Sequence, residues 1–163
     1  MPWLYFTTQS QRTLCHKVDY SRPVTDLILR AAEAGELATV LKFWETAAEN
    51  DSRPVDTMDA VAALHRRDPS ALIIAIDGGE IVGTIIAGWD GWRCHLYRLA
   101  VAPARRRAGI GGRLIAAAEE RFRSFGGTRA DAMVLDANEA AHRIWKLHGY
   151  TPQDEWSRWV KPL

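Results

Sequence analysis

Residues Val101 to Leu114 run from an apolar strand through an arginine-rich turn into a helix opened by glycines, and few folds accommodate that succession. Leu96, Tyr97, Leu99 and Val101 read as a strand. Ile110, Leu114, Ala118, Phe122 and Phe125 then recur at helical spacings. The turn therefore lies at a helix N-terminus, where unpaired N–H groups and the summed peptide dipoles favour an anion. Gly109, Gly111 and Gly112 have no Cβ and would let a bulky diphosphate approach the amides, while Arg105, Arg106, Arg107 and Arg113 add charge and forked donors. A pyrophosphate fits this pattern better than a lone carboxylate.

Spacing excludes two familiar phosphate loops. There is no Gly-Lys-Ser/Thr ending to hold a triphosphate and magnesium, and a dinucleotide fingerprint would need glycine where Leu114 stands. What remains is Arg106-x-x-Gly109-x-Gly111 behind Leu99-x-Val101-x-Pro103. A second segment follows, a strand from Ala132 to Asp136 and then Asn138-x-x-Ala141-x-x-x-Trp145-x-x-x-Gly149-Tyr150. Together these motifs resemble the GNAT superfamily of N-acetyltransferases, whose signatures are (Gln/Arg)-x-x-Gly-x-(Gly/Ala) and Asn-x-x-Ala-x-x-x-Tyr-x-x-x-Gly-Phe. The resemblance spans roughly Leu27 to Val160.

The resemblance implies an α+β fold, a largely antiparallel sheet of six to seven strands flanked by four helices, with a wedge between strands four and five. It implies acetyl-CoA as co-substrate and no metal. Leu99, Ala100 and Val101 would bind the pantetheine arm as an added strand would. Arg106, Arg107, Ala108, Gly109, Ile110, Gly111 and Gly112 would hold the pyrophosphate, with Asn138 and Trp145 completing the cofactor contacts. Asn138 also reads as a helix N-cap; the resemblance favours the pantetheine contact. An amine would attack the thioester directly in a ternary complex, with no covalent enzyme intermediate. The acceptor is a small-molecule amine or a protein N-terminus.

The catalytic positions depart from the family pattern. Trp145 stands where many members carry the tyrosine that gives a proton to the departing sulfur, and an indole N–H does not ionise near neutrality. Glutamate positions of relatives correspond here to His95 and Met133. His95 is the candidate base, since on a strand it shares a face with Tyr97 and Leu99 and its ordinary pKa of about 6.5 suits the task. Tyr97 is the candidate acid or water-positioning group, with Tyr150 an alternative. Trp89 and Trp92, flanking the Asp90-Gly91 turn, would line the acceptor entrance. With tyrosine and glutamate absent, a non-catalytic acetyl-CoA sensor or an inactive assembly partner is the alternative reading.

Elsewhere the pattern fills in around this centre. Leu27, Ile28 and Leu29 read as a strand, Leu37 to Ala48 as a first helix, and Met58 to Leu64 as a second helix capped by Asp56 and ended near Asp68-Pro69. Ala71 to Ile76 and Ile81 to Trp89 read as a hairpin across Asp77-Gly78-Gly79-Glu80, followed by a strand from Trp92. A last strand is expected over Glu155 to Val160, placing Trp156 and Trp159 in the core. The first 24 residues read as an extension: a flexible tail, a partner-docking arm compatible with a homodimer, or upstream sequence. The domain proper is 25–163. A net charge of +1 gives no case for nucleic acid or a membrane surface. No leader or 18-residue apolar run is legible, and Cys15 and Cys94 form no disulfide framework, so a reduced, cytoplasmic protein is expected.

Overall fold

A computed structural model describes residues 26–49 and 53–161, so the expected N-terminal extension lies outside the described residues. Five strands form one sheet in the order β1 to β5: Ile28–Ala31, Leu72–Asp77, Glu80–Trp89, Cys94–Val101 and Ala130–Ala132. The first four are antiparallel; β5 joins β4 in parallel. Helices α1 (Leu37–Ala47) and α2 (Met58–Arg67) pack on one face. Helix α3 (Ile110–Ser124) covers the other, together with Trp145 of α4 (Glu139–Leu147).

Each face of the sheet carries its own core. Ile73, Ala75, Ile85, Ala87, Cys94 and Leu96 meet Ile110, Leu114, Ile115, Ala118 and Phe122 of α3. The alternate residues Leu72, Ile74 and Ile86 meet Val40 and Trp44 of α1 and Val61 of α2. Both faces are buried, and β2 and β3 accordingly read as nearly continuous apolar runs.

The alternation in β4 is interrupted at Arg98, which adopts φ +50 where the register with β3 slips between Thr84 and Ile86. The added residue shifts the side-chain phase by one. Cys94 and Leu96 face α3 before the bulge; Leu99 and Val101 do so after it. His95 thus shares its face with Tyr97 but not with Leu99, correcting the uninterrupted strand read from the sequence.

A left-handed arginine costs about 1–2 kcal/mol and persists only where its surroundings fix it. Here Thr84, fully buried, donates its hydroxyl to the Arg98 carbonyl at 3.0 Å and accepts the Trp44 indole N–H at 2.8 Å. The Arg98 side chain lies over the Trp44 ring, donates to the Glu49 carbonyl at 2.8 Å and pairs with Asp56. Burial and the neighbouring Arg53 push the Arg98 pKa down to about 10, which leaves it charged near neutrality.

Several other expectations change in detail. Thr57, not Asp56, caps α2 by accepting the Ala60 N–H at 3.2 Å; Asp56 is engaged with Arg53 and Arg98. Strand β5 lies earlier than Ala132 to Asp136 because only Ala130–Ala132 have partners on β4, and Met133 and Leu135 beyond them are exposed. No described strand spans Glu155 to Val160, and Trp156 and Trp159 are exposed rather than in the core. Glu155 and Ser157 share a side with Trp159, and Arg158 shares the other with Trp156 and Val160, so neither side of an extended segment here is uniformly apolar. The sheet therefore has five described strands instead of six or seven, within the same α+β class.

Replacing Thr84 with valine would remove the hydroxyl that accepts the Trp44 N–H and donates to the Arg98 carbonyl, two buried hydrogen bonds at the bulge. A loss of about 2–4 kcal/mol is expected, read as a lower denaturant midpoint at unchanged slope.

Candidate active site

Strands β4 and β5 pair only at Cys94 with Ala130, His95 with Asp131 and Leu96 with Ala132. From Tyr97 onward no described strand lies against that edge of β4, which opens a fork whose free backbone runs through Leu99, Ala100 and Val101. Tyr97 is the first residue of β4 beyond the last paired rung. An extended ligand entering there would find strand-like donors and acceptors on one side.

The far end of the fork leads into the turn before α3. Gly109 is the helix N-cap at φ +77, a conformation that strains any residue with a Cβ, and space around it is open. The first-turn amides of Ile110, Gly111 and Gly112 have no acceptor inside the helix. The other two glycines serve a different purpose from the one read in the sequence. A Cβ on Gly111 would stand 2.5 Å from Ile144, and one on Gly112 would stand 2.7 Å from the His148 ring, so both allow α4 to pack against α3. An anion must approach from the exposed side formed by Arg107, Ala108 and Gly109.

The arginines divide similarly. Arg105 is buried in an ion pair with Asp77 of the β2–β3 hairpin and so holds the loop instead of facing a ligand. Arg106 donates to the Val101 and Ala47 carbonyls, each at 3.3 Å, tying the loop to β4 and α1. Arg113 donates to the Leu27 carbonyl at 3.0 Å. Arg107 is exposed at φ +67, with no such tether to any of the described residues.

On the α1–α2 face, beside the fork, a cleft of about 230 Å³ lies between the end of α2, β3 and β4, with Leu64, Ile86, Trp89, Asp90, His95 and Tyr97 in its wall. Asp90 ends β3 by accepting the N–H groups of Trp92 and Arg93 through Oδ1, at 2.8 and 2.6 Å, and those bonds hold its carboxyl below the usual range. Nδ1 of His95 lies 2.7 Å from Oδ1 of Asp131, and Nε2 lies 3.8 Å from Oδ2 of Asp90. Burial, together with the Asp131 and Asp90 carboxylates, raises the Tyr97 pKa, so its phenol is protonated near neutrality. Its ring is centred 6.0 Å from that of His95.

Asp131 was missed in the sequence because only the parallel register of β5 sets it across from His95. The tryptophans separate: Trp89 borders the cleft at the end of β3 while its ring packs on the α3-side core and stacks on Phe125, whereas Trp92 is exposed under Arg93 and outside the cleft wall. Trp145 is buried in the α3-side core edge-on to Tyr150, so packing is its observed role. The Tyr150 hydroxyl donates to Glu119 at 3.1 Å, and burial with that carboxylate raises its pKa, which occupies the phenol on α3. Asn138 is the N-cap of α4, its Oδ1 accepting the Ala141 N–H at 3.0 Å. Among the described residues there is no group of three or more His, Cys, Asp or Glu side chains that could hold a metal ion.

A model of the acetyltransferase (GNAT) family matches residues 37–150, which takes in the fork, the loop, the cleft and α4. An acetyltransferase of Pectobacterium atrosepticum is 30% identical over 128 residues, covering 77% of this chain and 89% of that protein. An acetyltransferase of Sodalis glossinidius is 34% identical over 87 residues, 53% of this chain, and the match spans 61% of that relative's length. Among solved structures, AAC(6')-Iy in complex with a CoA-containing bisubstrate analogue superposes with a TM-score of 0.67 at 17% identity, covering 84% of this chain and 99% of that one. The forked sheet and glycine-capped helix, together with a family match over more than half of the sequence, show that this chain belongs to the GNAT acetyltransferase family.

Proposed function

We propose that the protein is an acetyl-CoA-dependent N-acetyltransferase that acetylates a primary amine by direct attack in a ternary complex. The observation that carries this reading is the meeting, at one fork in the sheet, of an unpaired strand edge, a helix N-terminus open to an anion, and a cleft holding a histidine and a protonated tyrosine. When bound, acetyl-CoA contributes an activated acetyl thioester. Backbone groups of Leu99, Ala100 and Val101 would hold its pantetheine arm, with the Asn138 side-chain amide as a further contact. Arg107, Ala108 and Gly109, with the first-turn amides of α3, would hold its diphosphate. Arg106 supports that loop from behind.

Tyr97 stands at the fork with its proton retained, so its O–H is available to hydrogen-bond the departing sulfur as negative charge develops there. His95 opens onto the same cleft as the proton acceptor for the amine. Trp89 borders the acceptor's side of the cleft; Trp92, placed outside it, is not assigned a role. The acceptor is a small amine or a protein N-terminus. Among the described residues no helix is long and apolar enough to cross a membrane, and we propose a cytoplasmic location. Turnover separates this reading from a non-catalytic acetyl-CoA sensor, which would bind without reacting.

Calorimetric titration with acetyl-CoA should give saturable binding, weakened at least about tenfold by Gly109→Asp, which puts a carboxylate at the loop and a Cβ in a left-handed position. No binding to well-folded wild type would overturn the assignment. In a free-thiol assay over an amine panel, Tyr97→Phe should lower kcat by about tenfold or more while KM for the amine changes little. An unchanged kcat would remove Tyr97 from that role.

A further inference from the structure

We propose that Asp131 is a positioning residue for His95, fixing Nε2 as the proton acceptor for an alkylammonium group that Asp90 draws into the cleft. The inference rests on the acetyltransferase reading and narrows the acceptor to amines that are cationic near neutral pH.

The parallel ladder sets Asp131 opposite His95 one rung before the fork opens. With Nδ1–H donated to Asp131 at 2.7 Å, a neutral imidazole has its lone pair on Nε2. Asp90 reaches toward that nitrogen with Oδ2, but at 3.8 Å it makes no hydrogen bond and does not occupy the lone pair. Its other oxygen is held by two backbone N–H groups, so the carboxylate is ionised and fixed in place. An ammonium has three donors, and one nitrogen between these groups can give one hydrogen to Oδ2 and another to Nε2.

Few other charges face this gap. Tyr97 on β4 is a neutral phenol. Arg67 and Asp68 stand at the end of α2, where Asp68 is paired with Arg121. Arg158 acts on Tyr97 from the C-terminal segment. Arg93 in the turn after β3 also acts on Asp90. Asp131 at 2.7 Å and Asp90 at 3.8 Å lie directly against the His95 ring, and that pair of carboxylates favours a cation there over a neutral aryl amine.

The proton balance closes with these groups. The ammonium gives one proton to Nε2, leaving an imidazolium beside Asp131. The freed nitrogen lone pair forms the C–N bond as the C–S bond breaks, and the bond electrons leave on sulfur. The second proton lost from nitrogen passes to that thiolate, for which Tyr97 is also within the fork, or to solvent. The acceptor leaves as a neutral amide, which neither carboxylate retains.

The test combines imidazole ¹⁵N NMR with kinetics on the full chain. In wild type at a pH where His95 is neutral, the proton should reside on Nδ1. Asp131→Ala should shift the tautomer toward Nε2–H, and Asp131→Asn, which keeps the side-chain volume, should retain the Nδ1–H contact. Titration with n-butylammonium chloride should perturb the His95 resonances, aniline should not, and Asp90→Asn should abolish the n-butylammonium response. With acetyl-CoA and n-butylamine, Asp131→Ala should lower kcat by about tenfold to a hundredfold with KM within about twofold, whereas Asp90→Asn should raise KM. Wild-type His95 in the Nε2–H form, a tautomer or kcat indifferent to Asp131→Ala, or equal responses to n-butylammonium and aniline would overturn the proposal. Absence of acetyl-CoA binding by calorimetry would instead sink the acetyltransferase reading, while the tautomer and ammonium titrations would still decide the roles of Asp131 and Asp90.

Discussion

The left-handed backbone at Arg98 sets the geometry on which the site depends. One extra residue in β4 changes which side chains face α3 and which face α1, so His95 and Tyr97 open onto the cleft on the α1–α2 face while Leu99 and Val101 return to the α3 core. The bulge is held from both sides. Thr84 fixes its carbonyl, and the Arg98 side chain is fixed by Trp44, Glu49 and Asp56. Because Asp56 directly precedes α2, the same ion pair ties the start of that helix to the strand that forms the fork. The segment leading into α2 and the strand of the fork are thus joined by one buried polar network, which rigidifies when fully satisfied and is costly when broken.

The backbone-determined half of the site was legible in the sequence. The turn and helix around Gly109, the Asp77 to Glu80 hairpin and the Asn138 helix start all rest on local patterns in which glycine, aspartate or asparagine serves the backbone, and each appears as read. Side-chain assignments fared differently, because they depend on what lies across the chain. Arg105 reads as a phosphate ligand until Asp77 is folded against it. Gly111 and Gly112 read as room for a diphosphate until Ile144 and His148 occupy that room. Asp56 reads as a helix cap until Arg98 arrives from β4, leaving the cap to Thr57.

Long-range register explains the remaining differences. The bulge cannot be read from alternation, because residues 94 to 101 alternate acceptably without it. Asp131 carried no signal of its own, since nothing in its neighbours announces a parallel partner 36 residues away. The expected last strand meets a local counter-signal in the sequence: Glu155 and Ser157 share a side with Trp159, and Arg158 shares the other with Trp156 and Val160, so neither side is uniformly apolar, and both indoles are exposed.

A division of labour follows from which groups do the holding. Diphosphate and pantetheine contacts are assigned mainly to backbone amides and carbonyls, whose positions are set by fold and glycine placement, so the same cofactor site can persist while side chains change. In the proposed reading the acceptor contacts fall to side chains around the cleft on α2, β3, the β3–β4 turn and β4, and not to the backbone of the fork. Loss of a tyrosine at position 145 or of a glutamate at 133 therefore need not end catalysis. In the proposed reading the proton-handling groups move to other residues around the same opening: His95 and Tyr97 flank the last rung that joins β4 to β5, and Asp131 lies 2.7 Å from His95.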